Sequence, residues 1–346
     1  PLGNGLLDTV HRCIYLSIEI LFGKILFAVL WGSIMTNSTN TRNRTGWYAL
    51  GCLLLVGSLL ALSLVVAKLA DGAGAPRLSF LMVAVSGAGL LLLVLAGLQR
   101  QPMRLDRRIV EYALVSGALF ALPNALGFLA VRHVGAGFVS LSFAFPILVT
   151  WMLAVGLGME RIRALRLSGV LLGLAGGVLL AWAKAGGMQG AQGWVALVLT
   201  IPLIIALGNI YRTLRWPGEA GPVYLAALML LGGALTLAPF VLALEAHQFG
   251  QLIDSTGVLR LLLAEVVVFT VLYVFYFVLQ KLAGPVYLSQ IGMVAALVGT
   301  LIAVSLLGEA VPPYLGLAGG LVLLGAVLFH RGASRRNTAP PVTAEA

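Results

Sequence analysis

Read as a string of apolar and polar positions, the chain alternates long runs with little or no charge and short polar breaks. The runs are Trp47–Ala67, Leu78–Gln99, Tyr112–Val131, Val134–Met159, Leu167–Ala183, Gly193–Tyr211, Pro222–Leu244, Leu261–Gln280, Pro285–Gly308 and Val311–Phe329. Each is close to the roughly 20 residues that an α-helix needs to cross a hydrocarbon layer about 30 Å thick. Ten transmembrane helices are therefore predicted. Breaks such as Arg132-His133 and Lys281 to Gly284 are short enough to make successive helices antiparallel neighbours. No stretch remains for a soluble domain.

Composition closes off the alternatives. Hydrophobic residues make up 60% of the 346 and charged residues 10%, with a mean hydropathy of +1.02, whereas soluble domains carry roughly 25% charge. The 42 glycines fit helices whose backbones approach closely in lipid. Two cysteines, Cys13 and Cys52, are too few for a disulfide framework or a thiol-built zinc site. A net charge of +10 raises the question of nucleic acid, but the charges sit between the apolar runs.

Their distribution gives the orientation, because cytoplasmic connections retain Lys and Arg. One set of alternate connections holds Arg42, Arg44, Arg100, Arg104, Arg107, Arg108, Arg161, Arg163, Arg166, Arg212, Arg215, Lys281, Arg331, Arg335 and Arg336, fifteen in all. The other holds Lys68, Arg77, Arg132, Lys184 and Arg260, only five. Both termini are expected in the cytoplasm, and the basic balance reports topology and no nucleic-acid partner. Residues 1–45 read as an N-terminal extension. The first methionine is Met35, so residues 1–34 are expected to be an upstream extension and not native; the apolar stretch Ile14–Ile34, interrupted by Glu19 and Lys24, is the alternative as an eleventh span. Residues 332–346 read as a disordered cytoplasmic tail.

Sliding the chain against itself by 149 residues pairs Gly135 with Gly284, Ser140 with Ser289, Glu160 with Glu309 and Gly176 with Gly325, besides many apolar matches. The repeat divides the molecule into residues 46–185 and 186–331 with five spans each. An odd number of spans forces the second half to enter the membrane in the opposite orientation. The predicted fold is thus an all-α polytopic membrane protein of two inverted five-helix repeats. That design places a solute site near the midplane, between two halves that open alternately to either side.

The stretch Leu129-Ala130-Val131-Arg132-His133-Val134-Gly135-Ala136-Gly137, then Pro146 and Met159-Glu160-Arg161, resembles the first EamA-type repeat of the drug/metabolite transporter superfamily. Leu279-Gln280-Lys281-Leu282-Ala283-Gly284-Pro285-Val286-Tyr287 with Leu307-Gly308-Glu309-Ala310 resembles the second. The resemblance covers about Trp47–Arg331 and departs mildly at Gly158-Met159-Glu160, where the family often has a leucine before the glutamate. It implies ten helices, a central cavity and secondary transport, often export of amino acids or other small metabolites across a bacterial inner membrane.

Polar residues within spans need a partner or a wet cavity, so they are the candidate site. Asn124 and Tyr273 are 149 residues apart and are the first choice for substrate contacts; Trp151, Tyr276 and Gln290 are further candidates. Pro123, Pro146 and Pro202 remove backbone donors and are expected to kink their helices, with bending alone as an equal alternative. Glu265 is the acid inside a span, about one turn from its outer end, and is a candidate for proton coupling unless Arg260 or loop water satisfies it. Glu160 and Glu309 are read as structural, facing helix dipoles. The glycine ridge Gly169, Gly173, Gly177 and the pair Gly316, Gly320 read as packing within one chain in preference to dimerisation, leaving a monomer or homodimer.

Lys and Arg are nearly absent from the middle of the spans, so no fixed cation for phosphate is visible and neutral or zwitterionic solutes are favoured. There is no G-x-x-x-x-G-K-[ST], H-E-x-x-H or G-x-S-x-G motif, and no cofactor is implied. The leading expectation is a secondary exporter of amino acids or related small metabolites, working by alternating access and not as an enzyme. Uptake and multidrug efflux are alternatives within transport; an intramembrane enzyme or a non-transporting scaffold lies further off.

Overall fold

The computed structural model describes residues 42–135, 138, 139, 142, 143, 145–159, 162, 164–187, 192–218, 220–305 and 314–334. Expectations for residues 1–41, for Glu160 and Arg161, for Leu307 to Ala310 and for the tail beyond residue 334 lie outside these. Helices α1 (Arg42–Gly72), α2 (Arg77–Leu98), α3 (Arg107–Val134), α4 (Pro146–Gly156) and α5 (Ala164–Gly187) make up the first part of the chain. They are followed by α6 (Gln192–Leu214), α7 (Pro222–Leu244), α8 (Thr256–Leu288), α9 (Ile291–Ser305) and α10 (Leu315–Ser334). One 3-10 turn and one helical turn, Ala246–Gln248 and Gln251–Asp254, link α7 to α8. No strand occurs among the described residues. Contacts divide the chain between Leu50 and Gly51, and everything below concerns the unit that begins at Gly51.

Six of the helices, α1, α2, α3, α6, α7 and α8, are long and apolar enough to cross a membrane among the described residues. Their outward faces are apolar too. Leu90, Leu91, Val94 and Leu98 of α2 and Leu235, Phe240, Leu242 and Leu244 of α7 are exposed, an arrangement suited to hydrocarbon and costly in water.

Within the fourth and ninth runs the described helices are α4, with 11 residues, and α9, with 15; several residues between Gly135 and α4, and residues 306–313 after α9, lie outside the described set. The chain breaks at glycine in both places. Gly135 closes α3 with φ 79° and ψ 153°, and Gly284, near the end of α8, has φ 78° and ψ 179°. A side chain at either position would be strained. The two breaks are 149 residues apart. Pro146 is at the first position of α4, where its missing N–H costs nothing. It starts α4, whereas Pro123 and Pro202 lie inside their helices. Helix α10 also runs through Ser334, into the segment expected as tail.

Polar side chains tie the ends of α2 and α7. Glu245, just past α7, accepts hydrogen bonds from the Leu78 and Ser79 amides (3.1 and 2.7 Å) and from Ser79 Oγ (2.8 Å), satisfying donors that the start of α2 leaves free. At the other end Tyr224 N donates to Gln101 Oε1 and Tyr224 OH to the Arg104 carbonyl, at 3.1 and 2.9 Å. The two helices therefore run antiparallel. Between helices, glycines bring backbones into contact. A Cβ on Gly117 of α3 would lie 2.4 Å from the Gly232 carbonyl carbon of α7, and one on Gly232 would lie 2.1 Å from the Ala113 oxygen. At the α5–α10 crossing, a Cβ on Gly325 would lie 2.6 Å from Gly169 O and 2.7 Å from Gly173 N. The ridge on α5 thus packs within the chain. Its partner is Gly325, since Gly316 and Gly320 have open space in front of them.

Candidate functional site

Helices from both parts of the chain line a partly open cavity of about 60 Å3. Leu60 of α1, Asn124 of α3, Asn209 and Arg212 of α6, Met229 of α7, Tyr273 and Tyr276 of α8 and Gly292 of α9 all reach its wall. Most of the remaining lining is apolar, including Leu119, Phe120, Phe143 and Ile205.

The polar side of the cavity is built around α6. Arg212 sits in the last turn of that helix, yet it is only 3% exposed. Helical side chains lean toward the N-terminus of their helix. A long side chain near the C-terminus therefore folds back along the span and away from its end. Gly208, one turn earlier, leaves the space it occupies: a Cβ there would lie 3.1 Å from Arg212 Nη1 and 3.4 Å from Nη2.

Folded back in this way, Nη2 donates to Asn209 Oδ1 and to the Tyr276 hydroxyl, both at 2.7 Å. Tyr276 OH in turn donates to the same Asn209 oxygen at 2.7 Å. Gln280 Nε2 extends the network to Thr213 Oγ1 (3.2 Å). Nη1 meets the Met229 sulfur at 3.7 Å, a weak contact, and Nε is buried with no hydrogen-bond partner. The guanidinium carbon lies 5.4 Å from the Tyr276 ring centre, within cation–π range. Every one of these partners is neutral.

Beside this cluster, Asn124 and Tyr273 both line the cavity. Asn124 Nδ2 donates to the Phe120 carbonyl at 2.7 Å. Tyr273 also packs edge-on against Phe120, with ring centres 5.0 Å apart, and lies 5.7 Å from the Tyr276 ring. Pro123 lines the same wall. Because proline has no N–H, the carbonyl of Leu119, one turn back, loses its helical donor beside the cavity.

Other sequence candidates stand apart. Trp151 packs with Ile147, Leu148 and Val170 in an apolar cluster. Gln290 is buried beside the α8–α9 junction; its neighbour Ser289 lines the cavity. Pro202 is buried inside α6, away from the lining. Glu265 is fully buried and accepts a hydrogen bond at Oε1 from Ser63 of α1, while Oε2 has no partner. It is not satisfied by Arg260, whose side chain is exposed. Helix α8 starts at Thr256, five residues before the apolar run, so Glu265 lies about 14 Å along it and not one turn from its end. Among the described residues the ion pair is Arg77 with Asp71, well away from both buried charges.

No family model matches the chain, and no curated protein does. A solved structure described only as a crystal structure of a protein aligns with 86% of this chain and 100% of its own, at 20% identity and a TM-score of 0.61. The likeness is one of fold. It leaves the chemistry of the cavity to be argued from the side chains themselves. Asn209, Arg212 and Met229 were not among the sequence candidates. Arg212 had been counted with the cytoplasmic connections, and the expectation that no fixed cation stands within the spans is corrected by it. A sequence cue existed in Gly208-Asn209, a small residue and an amide one turn before a basic residue at the end of a span.

Proposed function

We propose that the chain is a secondary transmembrane transporter of the EamA type, in the drug/metabolite transporter superfamily. It would carry small metabolites, amino acids foremost, outward by alternating access. On this reading the ten apolar runs are ten spans, arranged as two inverted repeats in a bacterial plasma membrane with both termini cytoplasmic. The observation that carries the reading is the cavity itself. It carries a polar cluster in an otherwise largely apolar lining and is walled by helices from both parts of the chain, with Asn124 and Tyr273 contributed from positions 149 apart. The shared positive φ at Gly135 and Gly284, also 149 apart, supports the repeat. Glu265, buried with a single hydroxyl partner, is the group proposed to couple transport to a proton gradient.

The test is flux in vesicles reconstituted with the purified protein. Radiolabelled amino acids and cationic dyes are followed with and without an imposed pH gradient. Counterflow of at least one solute above protein-free vesicles is expected, and its absence across the panel removes the transporter reading. Cysteines placed at Gly187 and Pro102 should be labelled from opposite sides of the membrane; labelling from one side breaks the inverted arrangement.

A further inference from the structure

We infer that Arg212 is the anchor for a carboxylate on the solute, so that the cavity takes small organic monoanions with an apolar body. The inference rests on the transporter reading for its biological sense, but its physical argument is independent of it. A guanidinium withdrawn from water needs compensation, and removing a charge from solvent costs several kcal/mol after relaxation. Here the compensation within the protein is partial. Asn209 and Tyr276 take one terminal nitrogen, a thioether takes the other weakly, and Nε has no partner. No Asp or Glu lines the cavity.

The guanidinium is nonetheless held firmly. Two hydrogen bonds of 2.7 Å fix Nη2, a third between Tyr276 and Asn209 closes the triangle, and Gly208 keeps the channel along α6 free for the side chain. Both Nη2 hydrogens of the planar fork are taken by Asn209 and Tyr276, so a carboxylate would be met by the hydrogens of Nη1, whose partner in the protein is only a thioether. A single guanidinium, with no second cation on the lining, fits a monoanion better than a phosphate dianion. The apolar body would lie against Leu60, Phe120, Phe143 and Ile205. An α-ammonium group, if present, has no acid on the lining to meet it. Amino acids and 2-oxo acids therefore share the recognised chemistry, and experiment must separate them.

The test is equilibrium binding to the purified full chain in detergent, with flux measured in parallel. The probes are L-leucine, L-phenylalanine, their 2-oxo acids, and 4-methylpentanoate with its neutral amide. At least one carboxylate should bind, and 4-methylpentanoate should bind at least about tenfold more tightly than the amide. Arg212→Gln should weaken carboxylate binding by about 100-fold, with Arg212→Lys in between because an ammonium lacks the fork. Equal binding of acid and amide overturns the anchor, as does undiminished binding to Arg212→Gln or no carboxylate binding at all. Should Arg212→Gln fail to fold, the acid–amide comparison in the unmodified chain and the Tyr276→Phe variant, expected to bind several-fold more weakly, decide the matter. Flux without preference for carboxylates defeats the anchor and leaves transport standing; Arg212-dependent binding without flux defeats transport and leaves the anchor standing. Tighter binding of 2-oxo acids than of amino acids assigns the simple carboxylate, and the reverse assigns the amino acid.

Discussion

Among the buried charged side chains, Arg212 and Glu265 are buried in different ways. Arg212 sits near the end of α6 and reaches back to a cavity, held by an amide and a phenol. Glu265 sits about 14 Å into α8, fully buried, accepting from one serine hydroxyl of α1 and outside the lining of that cavity. Measured along α8, Glu265 and the Arg212 partner Tyr276 are eleven residues, about 16 Å, apart. The first group borders the cavity, whereas the second lies outside its lining. Burial alone therefore does not separate a binding group from a coupling group. What lies in front of the charge does.

That contrast can be broken most sharply at Arg212. Replacing it by leucine should lower carboxylate flux by about 100-fold or more, whereas Glu265→Gln should leave equilibrium binding within about threefold, both read in vesicles and detergent respectively. Equal losses at both positions would merge the two roles. Next in size, Glu265→Gln should reduce gradient-driven accumulation by roughly tenfold while leaving solute exchange intact. Accumulation that still follows the pH gradient removes Glu265 from coupling. Gly208→Ala should weaken carboxylate binding by roughly three- to tenfold, because the added methyl crowds the guanidinium at 3.1 Å. An unchanged affinity would show that the side chain does not need this channel. The smallest effect is expected from Ser63→Ala, which leaves Glu265 without its donor. A loss of about 1–3 kcal/mol in unfolding stability, with binding unaffected, is the expected outcome in a thermal or denaturant melt.

Much of the architecture is written in the one-dimensional pattern. The apolar runs behind α1, α2, α3, α6, α7 and α8 needed only length and absence of charge, properties that do not depend on neighbours. Asn124, Pro123, Tyr273 and Tyr276 stood out for the same reason, since polar or helix-breaking groups inside such runs demand an explanation, and all four reach the cavity. Arg212 escaped because the pattern places a residue by its Cα. The direction of its side chain, set by helix handedness and the room at Gly208, brings the charge to a wall that the Cα position does not indicate. Trp151 misled in the opposite sense. Its size and polar edge suit a binding wall, but α4 turns it toward Ile147, Leu148 and Val170. The backbone breaks at Gly135 and Gly284 fall at or beside the polar breaks Arg132-His133 and Lys281 to Gly284 that already divide the runs.

The crossing of α3 and α7 at Gly117 and Gly232 bears on motion. Where main chain meets main chain, no cushion of pliable side chains exists to absorb sliding, so these two rods must travel as one beam. Any widening of the solute chamber then has to come from its remaining walls, and a bulky replacement at Gly232 should jam the beam before it disturbs the chemistry of the chamber.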